Sequence, residues 1–230
     1  MLEIYVIFFT LLLILSFNYI SEKKQFLIDK KFNTHKSFAT KNIVPITGGL
    51  TILISCLFFL KLDSQYIKFF LILIFLVGFL SDINYLFSPV RRLFLQILIV
   101  IIFIYSEQIF INSIRIQMFD NLLENIYFKY LFTIFCFLVL MNGSNFMDGI
   151  NTLLVGYFLS LSFITLISIE KFNLPYDNYN FKILLCILFV VILFNFFGKL
   201  ISGDSGAYLI SFIFGYFLIE LADASDRVSP

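Results

Sequence analysis

Eight long apolar runs parted by short polar breaks set the tightest limit on how this chain can fold. They lie near residues 4–20, 44–62, 67–83, 92–106, 127–143, 151–169, 181–197 and 205–222. A helix needs about 20 residues to cross about 30 Å of hydrocarbon, at 1.5 Å per residue. Phe, Ile and Leu fill the runs on all sides without strict alternation, which excludes an outer-membrane barrel and leaves helices. Only 13% of the 230 residues are charged, about half the share of an ordinary soluble domain. The expected fold is therefore all-α, a polytopic transmembrane helix bundle of about eight spans. Residues 1–230 read as a single integral-membrane domain, with any chemistry confined to the loops.

A net charge of +1 gives no basic surface for nucleic acid. Cys56, Cys136 and Cys186 each sit inside an apolar run, where a small core residue is a better reading than a metal ligand or a disulfide. The first run has no basic segment before it and no small-residue cleavage site after it, so it reads as a retained span. The segment from Glu107 to Tyr127 mixes apolar and polar residues, as a short interfacial helix would. Lys23, Lys24, Lys30, Lys31, Lys36, Lys41, Arg91, Arg92 and Lys199 fall in odd-numbered breaks. The positive-inside bias then puts those loops in the cytoplasm and both termini in the periplasm.

The unusual polar residues collect in the same odd-numbered breaks. The first break ends Pro45-Ile-Thr-Gly48-Gly49, and the third run closes on Ser81-Asp82 with Arg91, Arg92 and Gln96 beyond it. The fifth run closes on Asn142-Gly-Ser-Asn145-Phe-Met-Asp148-Gly149-Ile-Asn151. The seventh ends Phe194-Asn195, followed by Gly203-Asp204-Ser205-Gly206. Alternation of spans brings all four clusters to one membrane face, and ionisable residues at a membrane boundary are costly enough to suggest function.

Asp82, Asp148 and Asp204 on one face suit a hard divalent cation, since Mg²⁺ takes one or two protein carboxylates and fills its shell with water and phosphate oxygens. Taken singly, each Asp could instead cap the following helix. Gly48-Gly49 allows either close ligand approach or close helix packing. The cations would serve a phosphate or merely the positive-inside rule. Gln96, one turn into its span, needs a partner, for which a neighbouring loop is the expected source. Intramembrane acids also mark ion pathways, so a transporter or channel component is the alternative from another class.

Together the four motifs resemble the polyprenyl-phosphate N-acetylhexosamine-1-phosphate transferases, the WecA/WbpL/MraY-like group of glycosyltransferase family 4. Pro45 to Gly49 is similar to its P-x-x-G-G, and Ser81-Asp82 with Arg91, Arg92 and Gln96 to its D-D…R-L…Q. Asn142 to Asn151 is similar to N-x-x-N-x-x-D-G-x-[DN], and Phe194-Asn195 with Gly203 to Gly206 to F-N…G-D-x-G. The resemblance implies an enzyme of a bacterial inner membrane, its active site facing the cytoplasm. Such an enzyme transfers N-acetylhexosamine 1-phosphate from a UDP-sugar to polyprenyl (undecaprenyl) phosphate and releases UMP. That reaction is the first membrane step of cell-envelope glycan synthesis, such as that of O-antigen.

The resemblance also implies roles. Mg²⁺, with Mn²⁺ as the alternative, would be held by Asp204 with Asn145 as second ligand. Asp148 and Asn145 would act with Asp82, which orients the acceptor phosphate or takes its residual proton. Lys36, Lys41, Gly149, Asn151 and Arg91 would bind substrate, and a homodimer is open. The sequence departs from the pattern at Ser81, where many members have Asp, and at Thr152, where many have Gly. It also ends at Pro230, where the family typically continues. The expectation is thus a C-terminally truncated member, of doubtful activity alone, or inactive, with small residues such as Gly206 and Ala207 left bare by missing helices.

Overall fold

Nine helices and one two-residue β-pair make up the described residues of the structure, a computed structural model that describes residues 1–29, 44–62, 64–86, 88–148 and 152–225. The helices are α1 (Leu2–Lys24), α2 (Gly48–Phe59), α3 (Gln65–Asp82), α4 (Pro89–Glu107), α5 (Gln117–Leu123), α6 (Ile126–Met147), α7 (Leu153–Phe172), α8 (Tyr179–Phe196) and α9 (Gly203–Ala224). Seven of them, all but α2 and α5, are long and apolar enough to cross a membrane, so the chain is an all-α polytopic membrane protein. The short α5 falls inside the segment read as interfacial.

Local chemistry explains where several helices begin. The hydroxyl of Ser64 accepts the Tyr66 N–H ahead of α3, and the amide oxygen of Asn125 accepts those of Tyr127 and Phe128 ahead of α6. Pro89 opens α4 at a position whose N–H would be unpaired in any residue. Lys23 and Lys24 lie in the last turn of α1, where the helix dipole favours cations.

The expected second span is helical over only 12 residues, about 18 Å. It still runs the length of the bundle. At one end the Gly48 N–H donates to the Ile201 carbonyl at 3.0 Å. At the other the Tyr179 hydroxyl donates to the Phe59 carbonyl at 3.0 Å, and Asn180 exchanges two hydrogen bonds with the Lys61 main chain. Tyr179 and Ile201 lie at opposite ends of α8 and its loop, so non-helical residues on either side of α2 complete the traverse. Just ahead of α2, β2 (Val44–Pro45) pairs antiparallel with β1 (Ile28–Asp29), a pairing the apolar pattern did not announce.

The axis of the bundle is α9, which α2, α3, α6 and α7 surround. From Gly203 to Leu221 most of its residues are buried, including Tyr208, Phe212, Phe214 and Phe217. Aromatic rings pack it in place: Phe212 meets Phe103 of α4 at 4.7 Å between centroids and Phe137 of α6 at 5.4 Å, and Phe214 meets Phe158 of α7 at 4.8 Å. Gly206 and Ala207, expected to lie bare, are buried here. A Cβ on Gly206 would come within 3.3 Å of the Gly49 main chain, so these small residues already serve a helix contact within the chain.

The polar breaks sort cleanly to the two ends of the bundle. Asn112 and Arg115 reach Asp223 and Ser225, and Tyr176 reaches Glu220, all at the end where α9 finishes. The breaks after α1, α3, α6 and α8 meet at the other end, where α9 begins.

Candidate active site

The first turn of α9 is the meeting point. Its N–H groups have no partners within the helix and must be satisfied from outside. Asp82, the last residue of α3, accepts the Asp204 N–H at 2.8 Å on one oxygen. On the other it accepts the Ser205 N–H at 3.1 Å and the Ser205 hydroxyl at 2.6 Å. Asp148, the residue that closes α6, accepts the Gly203 N–H at 3.0 Å. Two carboxylates from two other helices thus cap the positive end of α9. A capping role was one reading of these acids, but the cap is made across the fold. Thr152 and Ser202 occupy the N-cap positions of α7 and α9 themselves.

Glycines bring the backbones this close. Gly203 has φ +73°, and a Cβ there would lie 2.7 Å from an Asp82 carboxylate oxygen. A Cβ on Gly78 would lie 2.4 Å from the Cα of Ser205, and one on Gly49 would lie 2.4 Å from its hydroxyl. The Gly48 and Gly49 N–H groups donate to Ile201 and Ser202, and the Ile201 N–H to Pro45. Of the two readings of Gly48-Gly49, the structure shows helix packing.

Asp204 stands on the second residue of α9. One of its oxygens, Oδ2, accepts the Ser81 hydroxyl at 2.5 Å and forms an ion pair with Nη1 of Arg92, which also donates to Ser81 Oγ at 2.7 Å. Its other oxygen, Oδ1, accepts no hydrogen bond among the described residues. The Asp204 side chain keeps 25% of its surface exposed.

One turn deeper the polar lining continues. Asn145 donates to the Tyr208 hydroxyl at 3.3 Å, and Asn142 donates to Gln96 at 2.9 Å. The partner of Gln96 is thus a side chain on α6, not a neighbouring loop. Beneath the site, Asn195 accepts the Thr152 N–H at 2.5 Å and donates to the Leu200 carbonyl at 2.8 Å, pinning the start of α7 to the loop before α9. Thr152 has φ +68°, a conformation costly for a β-branched residue.

Of the residues singled out in the sequence, Asp82, Asp148 and Asp204 come together directly, and Asn145 lines the next turn. Lys36, Lys41, Gly149 and Asn151 lie outside the described residues. Arg91 is exposed, while Arg92 reaches the site. Helical spacing held the signal for that choice: Gln96 is fully buried and lies four residues from Arg92, so Arg92 and not Arg91 shares its face. Ser81, Ser205, Asn195 and Tyr208 were not expected as partners in the site.

The family model of glycosyl transferase family 4 matches residues 64–222, well over half the chain, taking in helices α3 to α8 and all but the last two residues of α9. The chain belongs to glycosyl transferase family 4. Membership makes it a membrane-embedded transferase that moves a sugar phosphate onto a lipid carrier. The match takes in Asp82, Arg92, Asn145, Asp148 and Asp204, whereas Pro45 to Gly49 precede it. No curated protein matches the chain.

Proposed function

We propose that the chain transfers N-acetylhexosamine 1-phosphate from a UDP-sugar to polyprenyl phosphate at the cytoplasmic face of a bacterial inner membrane. The observation that carries the reading is the meeting of Asp82, Asp148, Asp204 and Arg92, from four helices, on the first turn of α9 in a member of this family. The excess of Lys and Arg in the odd-numbered breaks of the sequence supports the cytoplasmic side.

The donor set suits Mg²⁺. Among the described residues no three acidic, His or Cys side chains form a metal cage, and this ion does not need one, because one or two carboxylates and substrate phosphates suffice. Asp204, through its open oxygen, would hold it, with Asn145 as a candidate second ligand. Bound there, the ion supplies positive charge for two reacting anions.

The chain's own residues do the rest by position and charge. A lipid phosphate is mostly ionised at neutral pH, so its oxygen needs little help to become a nucleophile. It attacks the β-phosphorus of the UDP-sugar. A new P–O bond forms, the bond from that phosphorus to the bridging oxygen breaks, and UMP leaves with the electron pair. Arg92 supplies positive charge beside the approach. Asp82 and Asp148 set where Asp204 stands by holding the N–H groups of its own turn, which makes Asp82 a positioning residue; Asp148 also borders the nucleotide in this reading.

The test is UMP release from UDP-N-acetylglucosamine by the full chain in nanodiscs containing undecaprenyl phosphate. Asp204→Ala should lose at least about a hundredfold in rate, the scale of one electrostatic stabiliser of a transition state. Turnover by Asp204→Ala equal to that of the parent in saturating Mg²⁺ would overturn the assignment of the metal to this carboxylate.

A further inference from the structure

The three carboxylates at the start of α9 are balanced in different ways. Asp82 and Asp148 receive main-chain N–H groups of α9, which cannot leave without unwinding the helix. The charge of Asp204 is met by a long cationic side chain, that of Arg92. Arg92 is poorly satisfied in that pose. Its Nη1 serves Asp204 and Ser81, but its Nε is buried without a hydrogen-bond partner among the described residues. A buried donor left unpaired is costly, and a guanidinium fork fits two phosphate oxygens better than one crowded carboxylate oxygen.

We propose that Arg92 is a phosphate-binding residue stored on Asp204. In the structure its guanidinium sits on one oxygen of the carboxylate whose other oxygen a divalent cation would use. When the cation arrives, repulsion between the two positive charges drives the guanidinium off Asp204 and onto the phosphate oxygens of the nucleotide. Ser81 holds the stored pose, because its hydroxyl accepts from Arg92 and donates to the same Asp204 oxygen. The identity of the phosphate rests on the transferase reading above, whereas the competition between Arg92 and a cation for Asp204 stands on the contacts alone. The competition weakens metal binding until phosphate is present, and it couples metal and phosphate so that each favours the other.

The experiment measures Mn²⁺ binding to the full chain in nanodiscs of neutral lipid, by electron paramagnetic resonance, without nucleotide. Arg92→Gln should bind Mn²⁺ at least about tenfold tighter than the parent, the scale set by a neighbouring unit charge. Arg92→Lys, which keeps the charge, should stay within about threefold of the parent. Asp204→Ala should lose the Mn²⁺ site. A second arm uses the unmutated protein: the reactivity of Arg92 toward phenylglyoxal, read by mass spectrometry, should rise on adding Mn²⁺ and fall again on adding UDP-N-acetylglucosamine.

Loss of Mn²⁺ in Asp204→Ala, with no gain in Arg92→Gln and no change in Arg92 reactivity, would overturn the inference and leave the transferase reading intact. Retention of the Mn²⁺ site in Asp204→Ala would instead overturn the metal assignment on which that reading relies.

Discussion

Asp82 holds both the N–H and the hydroxyl of Ser205, at 3.1 and 2.6 Å, across 123 residues of sequence. This contact fastens the end of α3 to the start of α9. It also fixes the neighbouring residue, Asp204, whose N–H goes to the other Asp82 oxygen. An acid at a membrane boundary therefore has a double consequence, for the fold and for the site.

Replacing Asp82 with Ala should free three donors in a place with little water. The expected loss is about 1–3 kcal/mol for each donor left unsatisfied, seen as a lower midpoint of thermal unfolding in detergent. Transfer activity should fall as well, because Asp204 loses its anchor. An Asp82→Ala protein as stable as the parent would show that the cap contributes nothing to α9.

Gly78→Ala puts a methyl 2.4 Å from the Cα of Ser205, where main chain and not a flexible side-chain tip must yield. Overpacking of this kind costs about 1–3 kcal/mol, again read as a lower unfolding midpoint. Gly143→Ala is the control, since its Cβ would meet no other element within 4 Å among the described residues. In the interior of α6 that change should raise stability by about 0.5–1 kcal/mol. Equal effects from the two substitutions would mean that α3 and α9 are not in close contact.

Thr152→Gly should stabilise the chain. The native φ of +68° costs a branched residue about 1–2 kcal/mol that glycine avoids, and part of the gain returns as unfolded-chain entropy. The measurement is the unfolding midpoint, with an expected rise. A fall would show that the threonine side chain provides more than its backbone strain removes.

Asn195→Leu keeps the bulk of a buried side chain while abolishing its bonds to the Thr152 N–H and the Leu200 carbonyl. Leaving these two main-chain groups unmet should lower stability by about 1–3 kcal/mol for each. Hydrogen exchange at Thr152 should quicken with it. Unchanged exchange would show that the Thr152 N–H does not depend on Asn195 for protection.

The helices and their alternation were legible in the sequence because a bilayer imposes one demand on every crossing segment: enough apolar residues to span it and a backbone satisfied internally. The meeting of Asp82, Asp148 and Asp204 followed from the same alternation, since counting spans places helix ends without any knowledge of packing. The partner of each polar group lay beyond that count. Arg91 and Arg92 are equal as charges; the four-residue spacing to Gln96 favours Arg92, but only the rotation of α4 against α9 makes Asp204 its partner. Likewise Gly49 and Gly78 could have served a ligand or a helix until the closeness of Ser205 decided it. Hydropathy is a property of one segment and survives in the sequence, whereas hydrogen bonds across 55 or 123 residues depend on how rigid helices settle against each other. That settling is decided by small residues and aromatic packing around α9, and only the tertiary structure records it.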